Sequence, residues 1–209
     1  ALHDHGGNKY FGRRKITRTG DLHPMMTEHQ ENYYGGRAWA NRLARRGYAV
    51  LVPDAFAFAS RRVRPEHVSE EIDGPFDEMD PPDPGVSETR EQIEAYNDWA
   101  SGHESIMAKS LFSGGTTWPG VFWAEDAAAL DVLAAREEVD EGRLGCAGLS
   151  GGGLRTVYLA GLDARIRCAV CAGMMTTWRD YLLNTCYTHT WMIYIPLLPG
   201  KLDYAEILG

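Results

Sequence analysis

Gly148, Leu149, Ser150, Gly151 and Gly152 place a serine between glycines in the pattern G-x-S-x-G. A serine hydroxyl is a weak nucleophile until a base takes its proton and fixed donors stabilise the charge that forms on the attacked oxygen. The glycines suit that task only at a tight junction, where a strand ends just before the serine and a helix begins just after it. Ser150 is therefore the candidate nucleophile. The backbone N–H of Gly151, in the first turn of the expected helix, is a candidate donor to an oxyanion. A phosphate-holding loop would want the pattern G-K-[ST] after its glycines, and Leu154 and Arg155 stand there instead.

A second cluster opens the chain: Leu2, His3, Asp4, His5, Gly6 and Gly7. Its polar side chains fit a metal site, a solvated loop, or a strand end whose small residues leave backbone N–H groups open to a substrate carbonyl. The last reading gains support from its place one strand and one helix ahead of an apolar strand expected over 48–53. Cys168 and Cys171 form one C-x-x-C. Within an apolar strand, residues three apart point to opposite faces, so the pair suits neither one zinc ion nor one disulfide. Both are expected to be buried core thiols, as free cysteine often is.

The elements that must position these residues follow an α/β rhythm. A helix is expected over 36–46, with Trp39, Ala40 and Leu43 on its inner face and Gly47 as its stop. Another is expected over 126–135, beginning near Val121 after the breaker pair Pro119 and Gly120. A short strand over 143–149, a helix over 154–162 and a buried strand over 166–172 follow. Alternation of this kind predicts a mostly parallel sheet with helices on both faces, and Ser150 falls at the junction of one strand and the next helix. Residues 59–118 break the rhythm with a run of carboxylates from Glu66 to Asp83 and the prolines Pro81, Pro82 and Pro84. The run reads as a solvated insertion with one helix over 87–109, or as a cap over the site. The aromatic segment 174–209 reads as a pocket wall or as surface packing.

The chain has 209 residues, 44% of them hydrophobic, enough for one domain with a full core. A net charge of -8 argues against a nucleic-acid partner, and no apolar run reaches the roughly 20 residues of a membrane-spanning helix. A soluble protein that needs no metal or cofactor is expected.

The stretch from Val121 to Gly173, with its elbow GLSGGG and the turn LDARI, resembles bacterial α/β hydrolases related to acetyl xylan esterases and dienelactone hydrolases. LHDHGG and RAWANRLARRGYAVLVPDAF share the resemblance, and the segment from Tyr187 to Leu208 does so more loosely. The resemblance implies an α/β-hydrolase fold and cleavage of a small-molecule or carbohydrate ester through an acyl-enzyme on Ser150. The N–H groups of His5 and Gly151 would form the oxyanion hole. Asp4 departs from the glycine usual in such loops. The family order, serine, then acid, then histidine, implies that the acid and base lie past residue 209 and that both ends fall inside the fold. His189 and Asp180 are the candidates within the chain. A prolyl-oligopeptidase-like peptidase and a non-catalytic scaffold that binds a ligand are the alternatives.

Overall fold

The computed structural model describes residues 1–64, 67–72 and 89–208. Most of the acidic run between Glu66 and Asp83 lies outside the described residues. Two short apolar segments, β1 (Leu144–Leu149) and β2 (Ile166–Ala172), pair in parallel with Cys146 beside Ala169 and Gly148 beside Cys171. The crossover between them is α6 (Gly151–Leu162), which packs against both strands. The tight spacing has a local cause. A Cβ on Gly145 would stand 2.9 Å from the Cys168 carbonyl oxygen, so glycine lets the two strands meet there. Leu2 extends the sheet on the other side of β1, bridging Gly148 in parallel and donating its N–H to the Ala147 carbonyl at 2.9 Å.

Segment 48–53 lies beyond Leu2, where the Ala1 amine donates to the Leu51 carbonyl at 2.8 Å. It takes the expected place in the order, but it is not a strand. Tyr48 is 63% exposed, and without a ladder partner the apolar run has no burial to gain from extension. The burial expected of β2 also fails. Cys168 is exposed and Cys171 half-buried, because β1 pairs with only one edge of β2 among the described residues. Both thiols are free, as are Cys146 and Cys186.

Around this sheet lie α1 (Pro24–Tyr34), α2 (Trp39–Ala44), α3 (Arg90–Gly102), α4 (Glu104–Ser113), α5 (Trp118–Ala134), α7 (Trp178–Asn184) and α8 (Tyr204–Ile207). Helix α5 starts earlier than its sequence suggests. Thr117 caps it by accepting from the Gly120 N–H at 3.0 Å, and Pro119 sits in the first turn, where a missing N–H has no partner to lose. The single helix expected over 87–109 is two, α3 and α4, which meet at Gly102 and His103. Thr89 and Gln92 cap α3 reciprocally. Far from being a solvated loop, α3 buries Ile93 and Tyr96 against Tyr10, Phe11 and Met26.

The largest core joins Phe58, Trp118 and Phe122 to Leu154 and Val157 of α6 and to Trp178, Met192, Ile193 and Tyr204. From the aromatic segment, Trp178, Tyr181, Met192, Ile193 and Tyr204 are thus core, whereas Leu183, Tyr187, Trp191 and Leu197 are exposed. Tyr204 stacks on Trp178, and a Cβ on Gly161 would meet the Ile207 carbonyl oxygen at 2.1 Å. No helix among the described residues is long and apolar enough to cross a membrane.

Candidate active site

Ser150 joins β1 to α6 with φ 53° and ψ -115°. Its N–H donates to the Ala172 carbonyl at 2.8 Å, and its own carbonyl accepts from the Leu154 N–H at 2.9 Å. A non-glycine residue with φ in this region persists only where its surroundings fix it. The flanking glycines supply that fixation. A Cβ on Gly148 would lie 2.3 Å from the Gly152 backbone, and one on Gly152 would lie 2.2 Å from the Leu2 carbonyl oxygen. A Cβ on Gly151 would stand 3.0 Å from the His5 backbone nitrogen. The elbow is thus seated directly on residues 2–5, with the backbones of His5 and Gly151 in close contact. Neither N–H group donates to a protein acceptor among the described residues. For Gly151 this follows from its place at the helix start, where N–H groups lack an intrahelical acceptor.

The three polar side chains of the N-terminal loop turn to different partners instead of converging, and no group of three metal-ligating side chains is arranged to hold an ion among the described residues. The Ala55 N–H donates to His3 Nε2 at 3.1 Å, which leaves His3 Nδ1–H to donate to the Asp4 carbonyl at 3.0 Å. This bonding assigns a neutral ring, and burial holds its pKa well below the ordinary value. Both nitrogens are engaged, so His3 fixes the loop.

The Asp4 carboxylate is engaged by the Tyr34 hydroxyl and by His29 Nε2 at 3.2 Å, both on α1. Gly6, at φ 52°, makes room, since a Cβ there would lie 2.4 Å from Asp4 Oδ2 and 2.5 Å from His29 Cε1. Burial alone would raise the Asp4 pKa, but His29, Lys15 and Tyr34 outweigh it and keep the carboxyl ionised well below its usual range. Lys15 is fully buried and donates to the carbonyls of Asp4 at 2.8 Å and His5 at 2.7 Å. Burial pulls its pKa down to about 8 against the opposing pull of Asp4. Lys15 therefore fixes the two peptide planes that flank His5, the first of which carries the His5 N–H.

Glu104, at the start of α4, ties the loop to the C-terminal segment. One carboxylate oxygen accepts from Lys9 Nζ at 2.7 Å and from His5 Nε2 at 3.1 Å. The other accepts from the Thr190 hydroxyl and the Trp191 N–H, each at 2.7 Å. Burial alone would raise its pKa, but His5, Lys9 and Thr190 hold it down at about 2.

Ser150 lines a narrow pocket, about 400 Å³ including its open mouth, with His5, Phe58, Leu154, Met174, His189 and Ile193 among its walls. His189 shares this pocket, and burial lowers its pKa, but no histidine hydrogen-bonds the Ser150 hydroxyl among the described residues. Asp180 is not paired with His189. Thr177 caps α7 by accepting from the Asp180 N–H at 3.1 Å, and the Asp180 carboxylate braces the helix by accepting from the Thr176 hydroxyl and the Asn184 amide. Arg155 of α6, one of the residues lining the pocket, forms a buried two-point ion pair with Asp126 of α5 at 2.8 and 2.5 Å.

The structure brings together Ser150, Gly151 and His5, the residues singled out in the sequence, and adds Lys15, Glu104 and the pair of Asp126 with Arg155, which were not singled out there. An arginine on the helix after the elbow, flanked by Leu154 and Val157, was a usable signal of a buried ion pair. Glu104 gave none, since it is 99 residues from His5.

Residues 116–201 match the family model of the prolyl oligopeptidase family, Peptidase_S9. Over 208 residues, 98% of this chain, the sequence is 23% identical to a Bacillus subtilis (strain 168) protein named "Putative hydrolase YtaP". The chain spans about half, 52%, of that relative's length. No solved structure matches at a significant level. Together with the parallel strands and the elbow, these matches support an α/β-hydrolase superfamily relationship, and the fold is of the α/β-hydrolase type.

Proposed function

We propose that this chain carries the nucleophile and oxyanion hole of a serine hydrolase that cleaves carboxylic esters. The observation that carries the reading is the positive-φ backbone of Ser150, packed against the loop at His5, with the Gly151 and His5 N–H groups both without a protein acceptor among the described residues. Ser150 Oγ attacks the ester carbonyl carbon, the carbonyl oxygen takes up negative charge against the two N–H groups, and the C–O bond to the alcohol breaks to leave an acyl-enzyme. The hydroxyl proton passes to a base. Water then cleaves the acyl-enzyme and releases the acid. No histidine among the described residues is hydrogen-bonded to Ser150, so the base is a residue outside this set or His189 after a rearrangement in the shared pocket.

The match to the prolyl oligopeptidase family favours a second reading, a peptidase on the same elbow. A peptide needs its leaving nitrogen protonated, which demands a positioned acid as well as a base, whereas an activated ester does not. Incubation with 4-nitrophenyl acetate and with a proline-containing peptide 4-nitroanilide separates the two. The ester reading expects a stoichiometric release of nitrophenol and an acetyl group on Ser150, with the anilide intact. Acylation from the anilide alone would favour the peptidase. Binding of either compound with no acylation would favour the non-catalytic scaffold.

A further inference from the structure

A second cleft, of about 1450 Å³ including its open mouth, lies between residues 56–64 and 67–72 on one side and helices α3 and α4 on the other. Its walls are largely apolar, with Phe56, Trp99, Ile106, Met107 and Trp118 among them. Its floor is fixed: the Trp99 indole N–H donates to the Ile72 carbonyl at 3.0 Å, and His103 Nδ1 lies 2.7 Å from the Trp99 carbonyl oxygen. Its charge runs against that of the protein. Lys9, Arg61, Arg62 and Arg64 line it with Glu104 as the carboxylate, on a chain of net charge -8.

Two of those cations are matched, Lys9 by Glu104 and Arg61 by Glu125. Arg62 differs. Its guanidinium stands 4.1 Å from the centre of the Tyr10 ring and 5.6 Å from that of Tyr96, and its buried Nη2 has no hydrogen-bond partner among the described residues. A guanidinium stays charged in such a setting, and its unmade N–H bonds are those that a carboxylate accepts best. One such donor in a mostly apolar wall matches a monoanion with an apolar body better than it matches a dianionic phosphate.

We propose that this cleft binds an organic carboxylate with an aromatic or aliphatic body, the carboxylate on Arg62 and the body against Trp99 and Trp118. Glu104 lines the cleft and also holds His5 and Thr190 beside Ser150, so the occupant sits across one side chain from the pocket of the candidate nucleophile. The inference rests on the cleft's own geometry and does not require Ser150 to be a nucleophile.

Isothermal titration calorimetry on the Ser150→Ala protein tests it apart from any hydrolysis. The probes are 3-phenylpropanoate, its neutral amide 3-phenylpropanamide, and inorganic phosphate. The expected result is one saturable site for the carboxylate, with the amide and phosphate each weaker by about tenfold or more. Arg62→Met should weaken the carboxylate by about tenfold or more. Ile106→Glu, at a position 38% exposed on the cleft wall, should do the same by adding a like charge without disturbing the core. Equal binding of acid and amide, phosphate binding as tightly as the carboxylate, no saturable binding at millimolar concentration, or indifference to both substitutions would each overturn the proposal.

Discussion

Replacing Glu104 by Gln keeps the shape of the side chain and removes its charge. The wild-type carboxylate receives four donors, from Lys9, His5, Thr190 and the Trp191 N–H. An ordinary glutamate ionises at 4.5 and Glu104 at about 2, so the folded protein favours the ionised form by about 3 kcal/mol at roughly 1.4 kcal/mol per tenfold in proton affinity. Removing one member of a buried pair costs about 3 to 5 kcal/mol, because Lys9 would stay charged and unmatched. Both routes give a loss of about 3 kcal/mol for Glu104→Gln at neutral pH. The pH dependence has a definite sign. Because folding lowers the pKa, the contribution is complete above 4.5 and is lost as pH falls toward about 2. Urea unfolding followed by tryptophan fluorescence, at pH 7 and at intervals down to pH 3, measures both. Wild type should lose about 2 kcal/mol of this increment by pH 3, and Glu104→Gln should not. The double variant Glu104→Gln with Lys9→Met should recover part of the loss at pH 7. A loss below about 1 kcal/mol at pH 7, the level of a surface pair, would refute the reasoning.

Other substitutions probe the elbow and its supports. Gly148→Ala puts a Cβ 2.3 Å from the Gly152 backbone and should destabilise by more than about 3 kcal/mol or prevent folding, read by thermal unfolding. Ser150→Gly should raise stability by about 1 kcal/mol in the same assay by relieving the strain of a side chain at positive φ, while abolishing acylation. Lys15→Met leaves the Asp4 and His5 carbonyls without their donor and should slow Ser150 acylation by roughly 10²-fold, with the ester concentration at half-saturation little changed. Arg155→Met strands the buried Asp126 carboxylate and should cost about 3 to 5 kcal/mol, with Asp126→Asn added to it restoring part of the loss in urea unfolding.

What the residues disclosed in advance depended on whether the cause was local. β1, β2 and the start of α6 were legible because apolar runs, turn residues and glycines decide them within a few positions. Segment 48–53 has the same apolar look, but a strand also needs a neighbour to complete a ladder, and no short-range pattern reports one. Cys168 and Cys171 were misplaced for the same reason, since burial of a strand depends on what covers it. Pro119 was read as a breaker when its position in the first turn of α5 makes it a starter. In the site, Ser150 and Gly151 follow from the elbow motif and His5 from the resemblance of the loop that seats it. Lys15, His29, Tyr34 and Glu104, which hold that loop, follow from contacts between distant segments, and their spacing in sequence carries no sign of them.

The central claim is that the fold presents Ser150 for attack. Treating the folded protein with a fluorophosphonate, and locating the adduct by mass spectrometry of the digested chain, tests that claim directly. The account predicts an adduct on Ser150 ahead of Ser60, Ser101 and Ser110, slow to form without a hydrogen-bonded base, and absent after unfolding in urea or in Ser150→Ala. A folded protein in which Ser150 reacts no faster than those serines, or no faster than it does in urea, would contradict it.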